Sequence, residues 1–461
     1  MGNLADLDDY LEYLCAALGH ADRRASLKDY CTGLMLPIAR KSVEPLAAHT
    51  DPMRVRAKHQ SLHHFVAKSA WSDTAVLASV LDCVRPALVT DTGHYWIIDD
   101  TGFPKKGKHS VGVARQYCGQ LGKQDNCQVA VSLSFATELG SVPIAYQIYL
   151  PKDWANDLER RCVAGVPEHL VFATKPEIAL EQLRGAVEAG VLPGVVLADA
   201  GYGDETAFRD GITELGLLYA VGIRPGTTVW APGISPLPPI PQPGPGRPTS
   251  LLRRGPGHEP TAVKALAIGL PSASYQQVSW REGTNTVLSS RFTALRVRPA
   301  HRDYWRSEQR EEEWLLIEWP EGDAEPSKYF LSTAPGDATL EQLVFVTKMR
   351  WRIERDYQEL KQEFGLGHYE GRGWQGFHHH ATLCIAAYGF LIIQRLNHQD
   401  SKKTLFGQKS LPYPTITSLA AAGRTQRHVP DSIPTLRALI ARAIAIQLQR
   451  CPCCNVSRYN L

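Results

Sequence analysis

Three carboxylates stand where this sequence could do chemistry: Asp100, Asp199 and Glu354. Asp100 follows the β-branched and aromatic run HYWIID (94–99) and precedes Thr101-Gly102. Asp199 ends the short apolar run VVLA (195–198) and opens a glycine turn, AGYG (200–203). Glu354 lies within KMRWRIERDYQELKQEFG (348–365). Acidic residues at the ends of neighbouring strands can converge at the carboxyl edge of a sheet, where open α/β folds place their sites. Carboxylates without an accompanying histidine are hard oxygen ligands, suited to Mg2+ or Mn2+ rather than to zinc. Two such ions about 4 Å apart can activate a water and stabilise a leaving oxygen in phosphodiester hydrolysis.

Each acid needs an element to hold it. Val346, Met349, Ile353, Tyr357, Leu360 and Phe364 recur at spacings of three or four and predict one amphipathic helix over 340–365, stopped by Gly365 and Gly367. At about 100° per residue, Arg350, Glu354 and Lys361 share a stripe within about 40° at the edge of its apolar face. That stripe fits a carboxylate flanked by two phosphate-binding cations, and it equally fits a solvated Arg–Glu pair of the ordinary i,i+4 kind. Strands are predicted at 94–99, 126–136, 142–150, 195–198 and 217–223, with helices at 175–190 and 206–215. The alternation of strand and helix indicates an α/β core. Residues 1 to about 90 read as helical, with basic stretches at Arg23-Arg24, Arg40-Lys41 and 54–58 but no clean helix-turn-helix. Pro and Gly crowd 231–260, and short alternating runs between 261 and 333 predict a mostly β insertion over 224–338. A further apolar helix is expected from Phe377 to Asn397, completing a core of 91–223 with 339–400 and leaving 401–461 as a C-terminal region.

The totals constrain the class. The chain has 461 residues, 44% of them hydrophobic and 21% charged, which fits a folded protein of two or three domains. No apolar run looks long enough to span a membrane, and no basic-then-apolar leader opens the chain, so a cytosolic setting is expected. A net charge of +3 permits a polyanionic partner without requiring one, so local clusters carry that case. Lys105, Lys106 and Lys108 form such a cluster just past Asp100, readable as phosphate contacts or as a solvated turn. Consecutive helical residues diverge by about 100°, so His378, His379 and His380 cannot chelate one ion together and read as packing residues. Cys451, Cys453 and Cys454 lack the paired spacing and nearby histidine of a zinc site.

The order strand–Asp, strand–Asp, β insertion, helix–Glu resembles the RNase H-like DDE transposases. More closely it resembles the bacterial insertion-sequence group whose signature is Tyr-x2-Arg-x3-Glu-x6-Lys. Arg350, Glu354 and Lys361 match three of the four signature positions, while Thr347 stands where that group has Tyr. The stretches IDDTGFPKKGKHSVG (98–112), LADAGYG (197–203) and GLGHYEGRGWQGFHHH (365–380) extend the resemblance across roughly 90–395.

The resemblance implies an RNase H-like mixed sheet with flanking helices. It implies that Asp100, Asp199 and Glu354 hold two Mg2+ or Mn2+ ions, with Asp99 a weaker claimant than Asp100, whose neighbour is the Thr that follows the family's Asp. Arg350 and Lys361 would hold DNA phosphates. Trp280, followed by Arg281, would stack on a flipped base; Trp305, Trp314 and Trp319 are rivals, and core packing is the plain alternative for each. The partners would be double-stranded DNA, as terminal inverted repeats and target, with a homodimer in the DNA complex. The expected activity is DNA transposition in the bacterial cytoplasm. A metal-dependent nuclease without strand transfer, or a domesticated DNA-binding regulator, are the other readings, and the intact acidic triad speaks against the regulator.

Overall fold

The computed structural model describes residues 4–91, 93–240, 250–282, 287–406 and 431–448. The thiols of Cys451, Cys453 and Cys454 lie outside them. The chain opens with helices α1 (Leu4–Cys15), α2 (Arg24–Met35), α3 (Val43–Thr50), α4 (Val55–Ala67) and α5 (Asp73–Leu88). Strands β1 (Tyr95–Pro104), β2 (Ala114–Cys118), β3 (Lys123–Ala136) and β4 (Ser141–Ile148) follow, then α6 (Lys152–Ala155), α7 (Leu158–Ala164) and α8 (Lys175–Glu188). Next come β5 (Val195–Ala198), α9 (Ala200–Gly203), α10 (Thr206–Glu214), β6 (Tyr219–Ile223), β7 (Thr228–Trp230), β8 (Thr261–Ala262) and α11 (Val263–Ile268). The remainder is β9 (Gln276–Glu282), β10 (Val287–Pro299), β11 (Glu313–Glu318), β12 (Lys328–Ser332), α12 (Leu340–Lys348), α13 (Trp351–Glu363), α14 (Trp374–Phe406) and α15 (Ile433–Gln447). The fold is mixed α/β. The chain divides into two compact units, one of residues 1–94, 99–182 and 352–461, the other of 95–98 and 183–351.

In the first unit β2, β3 and β4 form an antiparallel set, with Tyr117 opposite Gln124 and Ala130 opposite Ile148. The apolar residues of α1, α2, α4 and α5 are buried around α14. Residues Trp374–Asn397 of α14 are long and apolar enough to cross a membrane, contrary to the expectation from the sequence, yet 94% of that apolar window is buried inside the protein. Its three histidines are buried too. His379 stacks on Trp71 at 3.6 Å and faces the Val66 and Trp71 carbonyls, while His380 meets the Tyr30 hydroxyl at 2.8 Å. Burial lowers the pKa of both rings to about 4.

In the second unit the first residues of β1 pair in parallel with β5, Ile97 opposite Leu197, and β5 pairs in parallel with β6. β12 then joins β6 antiparallel, and β11, β10 and β7 continue outward. The strands beyond the Pro-rich stretch therefore extend the sheet that β5 and β6 begin. A large mixed sheet results, parallel at β1–β5–β6 and antiparallel beyond.

One predicted helix is two. The chain turns at Met349–Arg350 between α12 and α13, although neither Gly nor Pro is present there. Thr347 supplies a cause: its buried hydroxyl donates to the carbonyls of Leu343 and Val344, both at 2.9 Å, a back-bond that bends helices. The Met349 N–H closes on Val346 three residues back, a tighter final turn. Arg350 consequently lies in the turn and not on the helix that carries Glu354 and Lys361. At the other end α13 stops as predicted, where Gly365 adopts φ +68° and a side chain would strike Lys41 Cβ at 2.9 Å.

Candidate active site

The first unit assembles Asp100 and the Glu354 helix. α13 buries Ile353, Asp356, Tyr357, Glu359 and Leu360 and leaves Glu354 exposed, on the same stripe of the helix as Lys361. Two side chains of that helix fasten it to β1. The Tyr357 hydroxyl donates to the Asp99 carbonyl at 3.0 Å and meets Ser132 Oγ at 2.8 Å. One turn further, Lys361 Nζ donates to the Gly102 carbonyl at 2.8 Å and to Gln120 Oε1 at 3.1 Å. The two ties grip the strand on either side of Asp100. Burial lowers the Lys361 pKa to about 8. The Asp100 carboxylate itself is half-buried and pairs with Lys175 Nζ at 2.8 Å.

A buried polar cluster anchors the other face of α13. Asp356 Oδ1 accepts from Ser141 at 2.7 Å and from the Tyr388 hydroxyl at 2.9 Å, and Tyr388 also reaches Glu359 Oε2 at 3.0 Å. Desolvation raises the Asp356 carboxyl to about 6 despite these bonds.

In the second unit Asp199 follows β5 and caps the short α9, its Oδ1 accepting from the Gly201 N–H at 2.8 Å. The glycines of this turn answer to packing: a Cβ at Gly222 on β6 would come within 2.9 Å of the Ala200 nitrogen, and one at Gly203 would overlap the Gly222 carbonyl. Buried Arg209 donates to the Gly203 carbonyl and secures the turn from below.

The cationic candidates divide by what they already touch. Lys105 donates to the Tyr369 carbonyl at 2.9 Å, whereas Lys106 and Lys108 are exposed. Asn126 shapes their loop by donating to the Lys105 carbonyl at 2.6 Å and that of Gly107 at 3.0 Å. Trp280 is half-buried against Phe292, with the Lys348 ammonium 4.4 Å over its ring and that ammonium paired to Glu318 at 2.6 Å. The Arg281 guanidinium stacks 3.9 Å from the Trp351 ring centre. Thr347, in the signature's tyrosine position, is buried with its hydroxyl spent on its own helix. Among the described residues no three His, Cys, Asp or Glu side chains are gathered as a ready-made metal site.

The family profile described as DDE superfamily endonuclease matches residues 13–287, more than half of the chain. The chain belongs to that family. The matched span includes Asp100 and Asp199 and ends before Glu354. The chain is also 34% identical over 172 residues to a protein named "Probable transposase for insertion sequence element IS701" from Microchaete diplosiphon. The match covers 36% of this chain, and the chain spans 40% of that relative's own length. Among solved structures, the NurA nuclease from Sulfolobus solfataricus aligns with 73% of this chain and 93% of its own at 11% identity, but a TM-score of 0.22 carries no argument.

Three residues that organise the candidate site escaped the sequence reading. Lys175 looked like the start of a helix, and no spacing linked it to an aspartate 75 positions away. Asp356 and Glu359 occupy a helix whose apolar stripe was plain, and the signal available was that Asp356 sits three residues after Ile353, on the buried side.

Proposed function

We propose that this chain is a DNA transposase with an RNase H-like catalytic core. It cleaves transposon ends by hydrolysing phosphodiesters and joins the freed 3′-hydroxyl to target DNA. The observation that carries the proposal is the double fastening of α13 to β1 around Asp100, which supports a site containing both Asp100 and Glu354. Family membership and the transposase-like relative support the same reading. Asp199, on a strand end in the other unit, is the proposed third acid.

The donor set fits hard divalent cations, since it consists of carboxylates with no thiolate or imidazole among them. Asp100, Asp199 and Glu354 would hold Mg2+ or Mn2+, two ions in the full site, and these would supply charge neutralisation at the scissile phosphate. The chain's own part is to hold DNA in register. Lys106 and Lys108 present exposed ammonium groups, Lys105, Arg350 and Lys361 add positive charge, and Trp280 with Arg281 offers a half-exposed ring for a base. Residues 1–90 and the strands of 224–338 are the proposed readers of the terminal inverted repeats. The core is drawn from 91–223 and 339–400, with 401–461 as a C-terminal region. A homodimer on DNA, acting at the bacterial nucleoid, completes the proposal.

The test incubates the full chain with Mg2+ and labelled DNA carrying the element's native inverted repeats. Nicked and joined products are expected from the wild type. Asp199→Asn should bind the ends yet yield neither product, because an amide cannot supply the carboxylate's charge. Nicks without joining would favour a plain nuclease, shifts alone a DNA-binding regulator, and absence of binding would overturn the reading.

A further inference from the structure

Lys175 is the first residue of α8, and its ammonium lies 2.8 Å from Asp100 Oδ2, with 29% of the Lys175 side chain and 26% of the Asp100 side chain exposed. The helix gains nothing from this lysine. A cation in the first turn faces the positive end of the helix dipole, an unfavourable placement. The N-terminus is capped without it: Glu177 Oε2 accepts from the Thr174 N–H at 2.7 Å and its hydroxyl at 2.8 Å, and Glu177 N–H returns to Thr174 Oγ1 at 3.4 Å. That bonding holds the Glu177 carboxyl below its usual pKa. Among the described residues the ion pair that accounts for Lys175 is the one with Asp100, on a strand that α13 grips at Asp99 and Gly102.

We propose that Lys175 is a positioning residue for Asp100, a built-in counter-ion that holds and neutralises the carboxylate until a divalent cation takes its place. The inference rests on the reading of Asp100 as a cation ligand. A partly exposed ammonium on a four-carbon stem can withdraw without disturbing the core, so the exchange requires no rearrangement of α8 or β1. Once displaced, the same ammonium remains beside the site as a cation available to a DNA phosphate.

The competition is measurable without catalysis. Mn2+ is titrated into the full chain in the absence of DNA, and free Mn2+ is followed by electron paramagnetic resonance. Lys175→Met, isosteric and uncharged, should bind Mn2+ about threefold to tenfold more tightly than the wild type, because the competing ammonium is gone. Lys175→Gln should do the same, and Lys175→Arg should restore weak binding. Unchanged or weaker Mn2+ affinity in both uncharged variants, with melting curves that show them folded, would overturn the proposal and leave Lys175 a fastening of α8. Asp100→Asn separates the two ideas. If it abolishes Mn2+ binding while the Lys175 variants behave as wild type, the counter-ion is wrong and the metal site stands. If it binds as the wild type does, the metal-ligand reading fails and the counter-ion with it.

Discussion

Lys361 has two calls on one ammonium. Its position in the signature suggests a phosphate contact, while the structure commits it to Gly102 and Gln120. These are compatible if a phosphate takes the place of the exposed Gln120 amide while Gly102 keeps its bond. Burial has lowered the Lys361 pKa to about 8, so the group is charged at pH 7 and mostly neutral by pH 9. Only the charged form can neutralise a phosphate. The salt dependence of end-DNA binding should therefore fall by roughly one unit of slope between pH 7 and pH 9 in the wild type. Lys361→Ala should show the lower slope at both pH values. Parallel behaviour of wild type and variant across that range would make Lys361 a purely structural tie.

At the scale of the element, α13 is held from two sides by different physics. One face bonds to β1 through Tyr357 and Lys361; the other buries Asp356 against Ser141 and Tyr388. The Asp356 carboxyl, raised to about 6 chiefly by desolvation, keeps its proton more firmly folded than unfolded. Its ionisation therefore weighs against the folded state progressively as pH rises from about 4 to 6, and fully above that. Asp356→Asn removes the charge and keeps the shape. Relative to the wild type the variant should gain of order 1–3 kcal/mol between pH 4.5 and pH 8, read from denaturant unfolding at the two pH values. A difference that does not change with pH would mean that Asp356 is neutral throughout, sharing a proton with Glu359 by way of Tyr388.

At the scale of the whole molecule, charge distribution matters more than the total. The chain carries only +3, yet Lys105, Lys106, Lys108, Arg115 and Lys123 against Asp125 give residues 104–126 a formal +4. That stretch begins at the last residue of β1 and takes in β2, its turn and the start of β3, with Tyr117 on β2 59% exposed. A compact basic segment of this kind raises local affinity for a polyanion even when the protein is nearly neutral. Replacing Lys106 and Lys108 together with Ala should lower the slope of log affinity against log salt by about two, with the melting temperature unchanged because both side chains are exposed. An unaltered slope would locate the DNA path elsewhere.

Part of the candidate site was legible in the sequence because it depends on local pattern. Asp199 follows its apolar strand and opens the glycine turn of LADAGYG, and the stripe from Ile353 to Leu360 fixes which side of α13 is buried, all readable from periods of two and 3.6; Asp100, expected at a strand end, lies inside β1, which continues to Pro104. What the sequence could not decide was set by contacts between residues far apart in it. The break before α13 falls two residues after Thr347, whose hydroxyl bonds back to its own helix, a choice that propensity leaves open. The joining of β12 to β6 spans about a hundred residues and depends on which strand edge is free. The pairing of Lys175 with Asp100, the tie from Lys361 to Gly102 and the burial of Asp356 need the folded backbone to bring the partners together. Pattern determines which face of an element is buried; only tertiary packing determines what that face meets, because a hydrogen bond or ion pair is specific to about an ångström and sequence spacing carries no such distance.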